Sequence, residues 1–273
     1  MRISVISFNT ASPWGSEEKG TGSKTRIEKF IKYMGEESPD LLGTQELNYF
    51  WAEEIQKVLP EYSFYGIIRG GDDSKWTSEM NGVFFKNERF EKIFQKTFWL
   101  SKTPEISSRF VETDENGNEQ KANCYRICSY VILKEKSGAL LAFLNTHLDH
   151  ICERAMLWGA ELILEEIEGI KEKFGNDINI VLSGDFNQKE DSAVYKLLSS
   201  RLCDTTDETK KRATYQNWGA DISDNKGWAP LRPGDTPIDF IFTNGTPAQY
   251  RILDKLDNGY ISDHFGIRAE IDF

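Results

Sequence analysis

The chain is poor in histidine, cysteine and basic residues, and each shortage removes a class of explanation. Among 273 residues there are 3 histidines and 4 cysteines. Cys124 and Cys128 fall on one face of an expected strand, about 13 Å apart at roughly 3.3 Å per residue, too far for a disulfide. Reduced thiols used for packing fit all four cysteines best and point to a cytoplasmic setting. No apolar run approaches the roughly 20 residues that span a bilayer, and no basic, hydrophobic leader precedes the first strand-like segment, so neither a membrane span nor an export signal is expected. The 33 Lys and Arg residues are outnumbered by 44 Asp and Glu, a net charge of −11. That balance opposes tight, nonspecific binding to duplex nucleic acid through its phosphates. A phosphate-bearing substrate would be small, or would have its charge offset by a bound cation.

What the chain does have is apolar material for a sizeable core, 39% hydrophobic residues with 12% aromatics. No break in composition marks a linker, so one domain over residues 1–273 is expected. Its most informative stretch is Ser183-Gly184-Asp185-Phe186-Asn187-Gln188, where the apolar run from Ile178 to Leu182 ends in two short polar side chains one residue apart. In a strand, Asp185 and Asn187 would face the same side and converge on one ligand. A turn in which they cap their own backbone is the alternative.

Other stretches are built the same way. Arg2 to Asn9 reads as a buried strand ending in Asn9, Lys24 to Glu37 as a helix through Ile27, Phe30, Ile31 and Met34, and Asp40 to Glu46 as a strand ending in Glu46. A strand, a helix and a strand in this order call for a parallel, right-handed crossover, which brings Asn9 and Glu46 to one edge. The plan repeats with a strand from Ala139 to His147, a long helix from Glu153 to Phe174 and a strand from Ile178 to Asp185. Two such units suggest two similar layers facing each other, with strand ends meeting at one rim. Between them Tyr62 to Arg69, Met80 to Lys86, Arg89 to Phe98 and Tyr125 to Lys134 read as strands, antiparallel by their short connections. Two long loops, Gly70 to Glu79 and Asp207 to Pro237, attract functional interest, the second holding Tyr215, Trp218, Trp228 and Arg232. Those aromatics could stack on a ligand or pack the loop onto the body. Near the end, a strand beginning at Pro237 carries Asp239, and Ser262-Asp263-His264 precedes the last strand.

Collected at one rim, Asn9, Glu46, Asp185, Asn187, Asp239 and Asp263 make an oxygen-rich site that needs a cation or a histidinium within it. Hard oxygen ligands without thiolate suit Mg²⁺ or Mn²⁺ better than Zn²⁺. A local zinc site from His147, Asp149, His150 and Cys152 is the competing idea. Asp239 is a candidate partner for His147 or His264, holding its proton to higher pH.

At this point the chain resembles the endonuclease/exonuclease/phosphatase superfamily of metal-dependent phosphoesterases. The resemblance rests on Ser7-Phe8-Asn9, Gln45-Glu46, Asn145-Thr146-His147-Leu148, Gly184-Asp185-Phe186-Asn187, Ile238-Asp239-Phe240 and Ser262-Asp263-His264, in that order. Trp99-Leu100-Ser101 and Arg126 resemble its bacterial metal-dependent hydrolase branch and, more distantly, a deadenylase-like branch. The resemblance implies a four-layer α/β/β/α sandwich with two facing mixed sheets, deoxyribonuclease I-like. It implies Glu46 as main metal ligand, with Asn9 and Asp263 completing or orienting the shell. Asp185 would activate the attacking water and Asn187 would hold water or a phosphate oxygen. His264, supported by Asp239, and His147 would donate to the non-bridging oxygens, with Arg126 and Arg109 as phosphate contacts or surface ion pairs. The expectation is a Mg²⁺- or Mn²⁺-dependent phosphoesterase, with a small or single-stranded phosphodiester ahead of duplex DNA. A nuclease and a non-catalytic binding module on the same scaffold are the alternatives.

Overall fold

The computed structural model describes residues 1–18, 21–71, 74–219, 236–254 and 259–273. The chain opens with β1 (Arg2–Asn9), α1 (Ser23–Glu37), β2 (Leu41–Leu47), α2 (Tyr49–Val58), β3 (Tyr62–Tyr65), β4 (Met80–Lys86) and β5 (Phe90–Trp99). A small hairpin, β6 (Val111–Thr113) and β7 (Glu119–Lys121), leads to β8 (Ile127–Glu135) and β9 (Leu140–His147). Then come α3 (Glu153–Phe174), β10 (Asn179–Asp185), α4 (Ala193–Ser199), β11 (Cys203–Asp204), β12 (Asp239–Thr243), β13 (Thr246–Leu253) and β14 (Gly266–Asp272).

Two six-stranded mixed sheets result, ordered β13-β14-β1-β2-β4-β3 and β11-β12-β10-β9-β8-β5. Each holds one parallel pair, β1 with β2 and β9 with β10, the products of the two strand–helix–strand units. Three apolar layers glue the sandwich together. Val5, Leu41, Phe143 and Val181 pack between the sheets, Phe30, Met34 and Trp51 lie under α1 and α2, and Met156, Ile163 and Ile167 lie under α3. The architecture is the four-layer α/β/β/α sandwich, because each sheet buries one face on the other sheet and one on helices.

The sequence reading needs one topological correction. Short connections suggested a continuous antiparallel middle, but the turn after Lys86 carries the chain from one sheet to the other. β4 pairs with β2 and β3, whereas β5 pairs with β8. A tight turn fixes proximity, and the partner is chosen by which apolar face is still uncovered.

Near one rim the interface between the sheets turns polar. Gln45 Nε2 donates to Asn145 Oδ1 (2.6 Å) and to Ser7 Oγ (3.1 Å), and Asn145 Nδ2 donates to the carbonyls of Thr44 (2.8 Å) and Gly82 (2.9 Å). Ser183 Oγ adds a 3.2 Å bond to Asn145 Oδ1. Gly43 leaves room for this seam, since a Cβ there would come within 2.3 Å of Ser183 Oγ. Gln45, which precedes Glu46, and Asn145, two residues before His147, therefore lock the sheets in register next to the site. No described helix is long and apolar enough to cross a membrane.

Candidate active site

Strand register delivers the chemistry to this rim. In the second sheet Asp185 closes β10 with His147 of β9 as its parallel neighbour and Asp239 of β12 as its antiparallel one. In the first sheet Asn9 closes β1 opposite Gln45, one residue before Glu46. Glu46 adopts a left-handed backbone, φ 51°, at the irregularity where β2 slips against β4. Its carbonyl accepts from the amide of Ser12 (3.2 Å) and the hydroxyls of Ser12 (2.7 Å) and Thr10 (3.1 Å), which hold an otherwise unfavourable conformation.

Asp185 sits at the centre. Its Oδ2 accepts from Asn9 Nδ2 (3.0 Å) and faces His147 Nε2 at 3.4 Å and His264 Nε2 at 3.7 Å. Its Oδ1 accepts the amide of Asn187 at 2.9 Å. Asn187 lies beyond the strand end with φ 51°, so it reaches the site through a turn and not by strand alternation. Here the turn and the convergence on one site hold together.

The two histidines are in opposite states. Burial pulls His264 down, but the carboxylates of Asp239 and Asp185 outweigh it and hold the imidazole well above its usual range. Its Nδ1 pairs with Asp239 Oδ2 at 2.9 Å. His147 is driven well below its usual range by burial, reinforced by Arg126 and Arg69, and is neutral. Asn187 Nδ2 donates to the carbonyl of Leu148 (3.1 Å), which orients the amide so that the same nitrogen donates to His147 Nε2 (3.0 Å). The proton of His147 is thereby assigned to Nδ1, which has no hydrogen-bond partner.

The carboxylates lack enough counter-charge. Burial, with Glu79 and Asp263 nearby, pushes Glu46 up to about 8, and burial with Asp239 pushes Asp185 up to about 6. Glu46, Glu79 and His147 offer ligand atoms within 4.8 Å of one another, as do Asp185, Asp239 and His264. A donor set dominated by carboxylate oxygens, raised for want of positive charge and with Asp239 Oδ1 unpartnered, fits a hard divalent cation.

The cleft holding these groups has a volume of about 380 Å³. It brings together Glu46, Asp185, Asn187, His147, Asp263, His264 and Arg126. Asn9 and Asp239 stand just behind, Asn9 through its amide bonds to Asp185 and Glu46 (3.4 Å). Arg109 is not brought in. It is exposed, donates to the carbonyl of Asn123 (3.3 Å) and lies over the Tyr125 ring, so its reading as a phosphate contact is withdrawn. The local zinc idea fails as well. The oxygens of Asp149 accept backbone amides, and His150 Nδ1 faces Arg126 Nη2 at 2.9 Å.

Sequence reading missed Arg69 and Glu79, paired at 2.8 Å in the cleft wall. Glu79 directly precedes β4, the same acid-beside-strand signal that marked its neighbours. It also missed Arg26, which is fully buried and donates to the carbonyls of Thr10, Ala11, Trp14, Thr21 and Ile261. Arg26 ties the loop after Asn9 to the segment before Asp263. Of the long-loop aromatics, Tyr215 lines the cleft, Trp218 lies over the Arg26 guanidinium, and Trp228 is outside the described residues, as is Arg232.

Comparison with known proteins bears on the family and the fold. The model of the Endonuclease/Exonuclease/phosphatase family matches residues 6–264. A CCR4-Not complex 3'-5'-exoribonuclease subunit of Candida albicans is 34% identical over 175 residues, 58% of this chain and 22% of that protein. The chain spans between 22% and 40% of the length of the curated relatives it matches. A mannosyl-6-phosphatase of Bacteroides thetaiotaomicron superposes with a TM-score of 0.81 at 26% identity, covering 99% of this chain and 100% of that one. TDP2 of D. rerio, complexed with a single-strand DNA product, shares the fold with a TM-score of 0.72 at 18% identity, covering 100% and 99%.

Proposed function

The chain belongs to the endonuclease/exonuclease/phosphatase family, whose enzymes are divalent-metal-dependent phosphoesterases, and from that premise we propose how its residues divide the reaction. The observation that carries the reading is the convergence of a buried Asp185 with His147, His264 and Asn9. Water adds to phosphorus in line with the ester oxygen, the P–O bond to that oxygen breaks, and Asp185 takes the water proton. Burial has moved Asp185 to about 6, close to what a base working near neutral pH requires. Asn9 and the amide of Asn187 fix its two oxygens, and the Asn187 side chain orients His147. His147 donates from Nδ1 as a neutral group, and His264 donates as a cation held by Asp239, both toward the non-bridging oxygens. Arg126 adds positive charge at the same cleft.

Glu46 is the main metal ligand in this reading, Asp263 and Asn9 complete or orient the shell, and Mg²⁺ or Mn²⁺ is the ion. When bound, the cation supplies charge neutralisation for the phosphate and leaving oxygens. The small volume of the cleft and the acidic balance of the chain support a small phosphate ester over duplex nucleic acid, with all of residues 1–273 working as one domain. A second reading, hydrolysis of single-stranded nucleic acid, is supported by the exoribonuclease relative, and a fluorescent oligonucleotide beside nitrophenyl esters separates the two.

The decisive variants are Asp185→Asn and Glu46→Ala. Asp185→Asn is expected to retain metal binding by calorimetry while turnover falls by about 100-fold or more, the scale of losing a positioned base. Glu46→Ala is expected to lose metal affinity together with EDTA-sensitive activity. Unchanged turnover in Asp185→Asn would remove it from the mechanism.

A further inference from the structure

Resting on the phosphoesterase reading above, the geometry points to one substrate class: the cleft wall around Arg126 and Arg69 selects a terminal phosphomonoester over a phosphodiester. Arg126 is buried, with 5% of its surface exposed, yet its guanidinium is poorly partnered. Nη2 faces His150, while Nε and Nη1 have no hydrogen-bond acceptor. Asp149 Oδ2 is 3.9 Å from Nε and is already committed to the amides of Asn123 (2.8 Å) and Cys124 (3.3 Å). Its other oxygen accepts the amides of Ile151 (3.0 Å) and Cys152 (2.9 Å). Arg69, in the same cleft wall, is paired with Glu79 at 2.8 Å, a carboxylate that Arg126 senses only at longer range.

This wall therefore holds two guanidinium groups and two carboxylates, Glu79 and Asp149, so its charges balance while two donors of the buried Arg126 guanidinium remain without an acceptor. A buried cation without a full set of acceptors costs several kcal/mol in general, and an anionic ligand restores what is missing. Arg126 lines the same cleft as His147 and His264, so its unpartnered donors are placed to act on a phosphoryl group held there.

The two ester classes differ in what they can use here. A diester presents one negative charge and two non-bridging oxygens, which the histidine donors and a cation already serve. A monoester near neutral pH carries about −1.5 to −2 and three acceptor oxygens. Only the monoester brings a third terminal oxygen for the unpartnered donors of Arg126. In the step itself, water adds to phosphorus as Asp185 takes one of its protons, the bond to the leaving oxygen breaks, and that oxygen takes a proton from solvent, so that inorganic phosphate and an alcohol are released. A cleft of about 380 Å³ holds a phosphoryl group with a compact leaving group.

The test compares a dianion with a monoanion on the metal-loaded protein. Inorganic phosphate and dimethyl phosphate are titrated into wild type, Arg126→Met and Arg126→Lys by calorimetry, alongside turnover of p-nitrophenyl phosphate and bis-(p-nitrophenyl) phosphate. Wild type is expected to bind phosphate about 10-fold more tightly than dimethyl phosphate, or better, the scale of an added charge-assisted contact. Arg126→Met is expected to weaken phosphate binding more than dimethyl phosphate binding, so that the preference collapses, and Arg126→Lys to keep part of it. Equal binding of both ligands by wild type, or an equal loss of both in Arg126→Met, overturns the inference, and the wild-type comparison decides alone if neither variant folds. Metal-dependent turnover that favours the diester also overturns it and leaves the phosphoesterase reading standing. That reading itself falls if turnover of every ester is indifferent to Asp185→Asn.

Discussion

Asp185 and His264 illustrate how much of this site is decided by single atoms. The dipeptide spacing of Asp185 and Asn187 is legible in the chain, but two oxygens on one carboxylate let it cap a turn and serve a site together. The histidines were legible only as strand-end residues. Their protonation depends on neighbours far away in sequence: His264 meets Asp239, while His147 meets Arg126 and Arg69. This difference gives a signed prediction for protein held in EDTA. A histidine whose pKa is raised on folding contributes stability that is fully present below about 6.5, its unfolded value, and lost as pH rises through its folded value. Asp239→Asn removes the main carboxylate that raises it. The stability gap between wild type and Asp239→Asn is therefore expected to be widest in mild acid and to shrink as the medium becomes alkaline. Thermal unfolding followed across that range measures it, and a gap that widened with pH would reverse the assignment of His264 as the cation.

At the scale of elements, the pieces with a buried apolar run were readable, short strands included, and those with a short or half-exposed apolar face were not. α3 has the bounds expected from its apolar spacing, because many turns repeat the same face. α2, α4 and β13 were missed. α4 is 7 residues long, and β13 is an edge strand with an exposed, polar stretch. α2 did carry a readable signal, Asn48 capping the amide of Trp51 at 2.9 Å ahead of a buried Trp51-Ala52-Ile55 face. The polar seam could not be read at all, since Gln45 and Asn145 meet only once two sheets face each other. Asn145→Leu tests its weight. The substitution leaves Gln45 Nε2 and the carbonyls of Thr44 and Gly82 without their buried partner, at about 1–3 kcal/mol for each group left unsatisfied. Urea unfolding is expected to report a loss of several kcal/mol, and a loss comparable to a surface substitution would mean the seam is dispensable.

For the molecule as a whole, the rim that makes the enzyme also weakens the fold, and metal binding should reveal it. Folding carries Glu46 from an ordinary carboxyl value up to about 8 and Asp185 up to about 6. Both groups hold protons more tightly folded than unfolded, so without metal their contribution to stability is present in acid and drains away as pH rises toward about 8. A divalent cation held at Glu46 would reverse this, because its charge favours the ionised forms of both carboxylates, the ligand Glu46 and the nearby base Asp185. Affinity for Mg²⁺ or Mn²⁺ is therefore expected to climb from about pH 6 to about pH 8 and then level off, with proton release seen as buffer-dependent heats in calorimetry. The rise in melting temperature on adding metal should grow over the same interval. Glu46→Gln should remove the upper part of that dependence while Asp185 continues to account for the lower part. A metal-induced shift that stayed flat across this range would mean that the ion sits away from Glu46 and Asp185, and the charge balance assigned to the rim would have to be redrawn around Glu79.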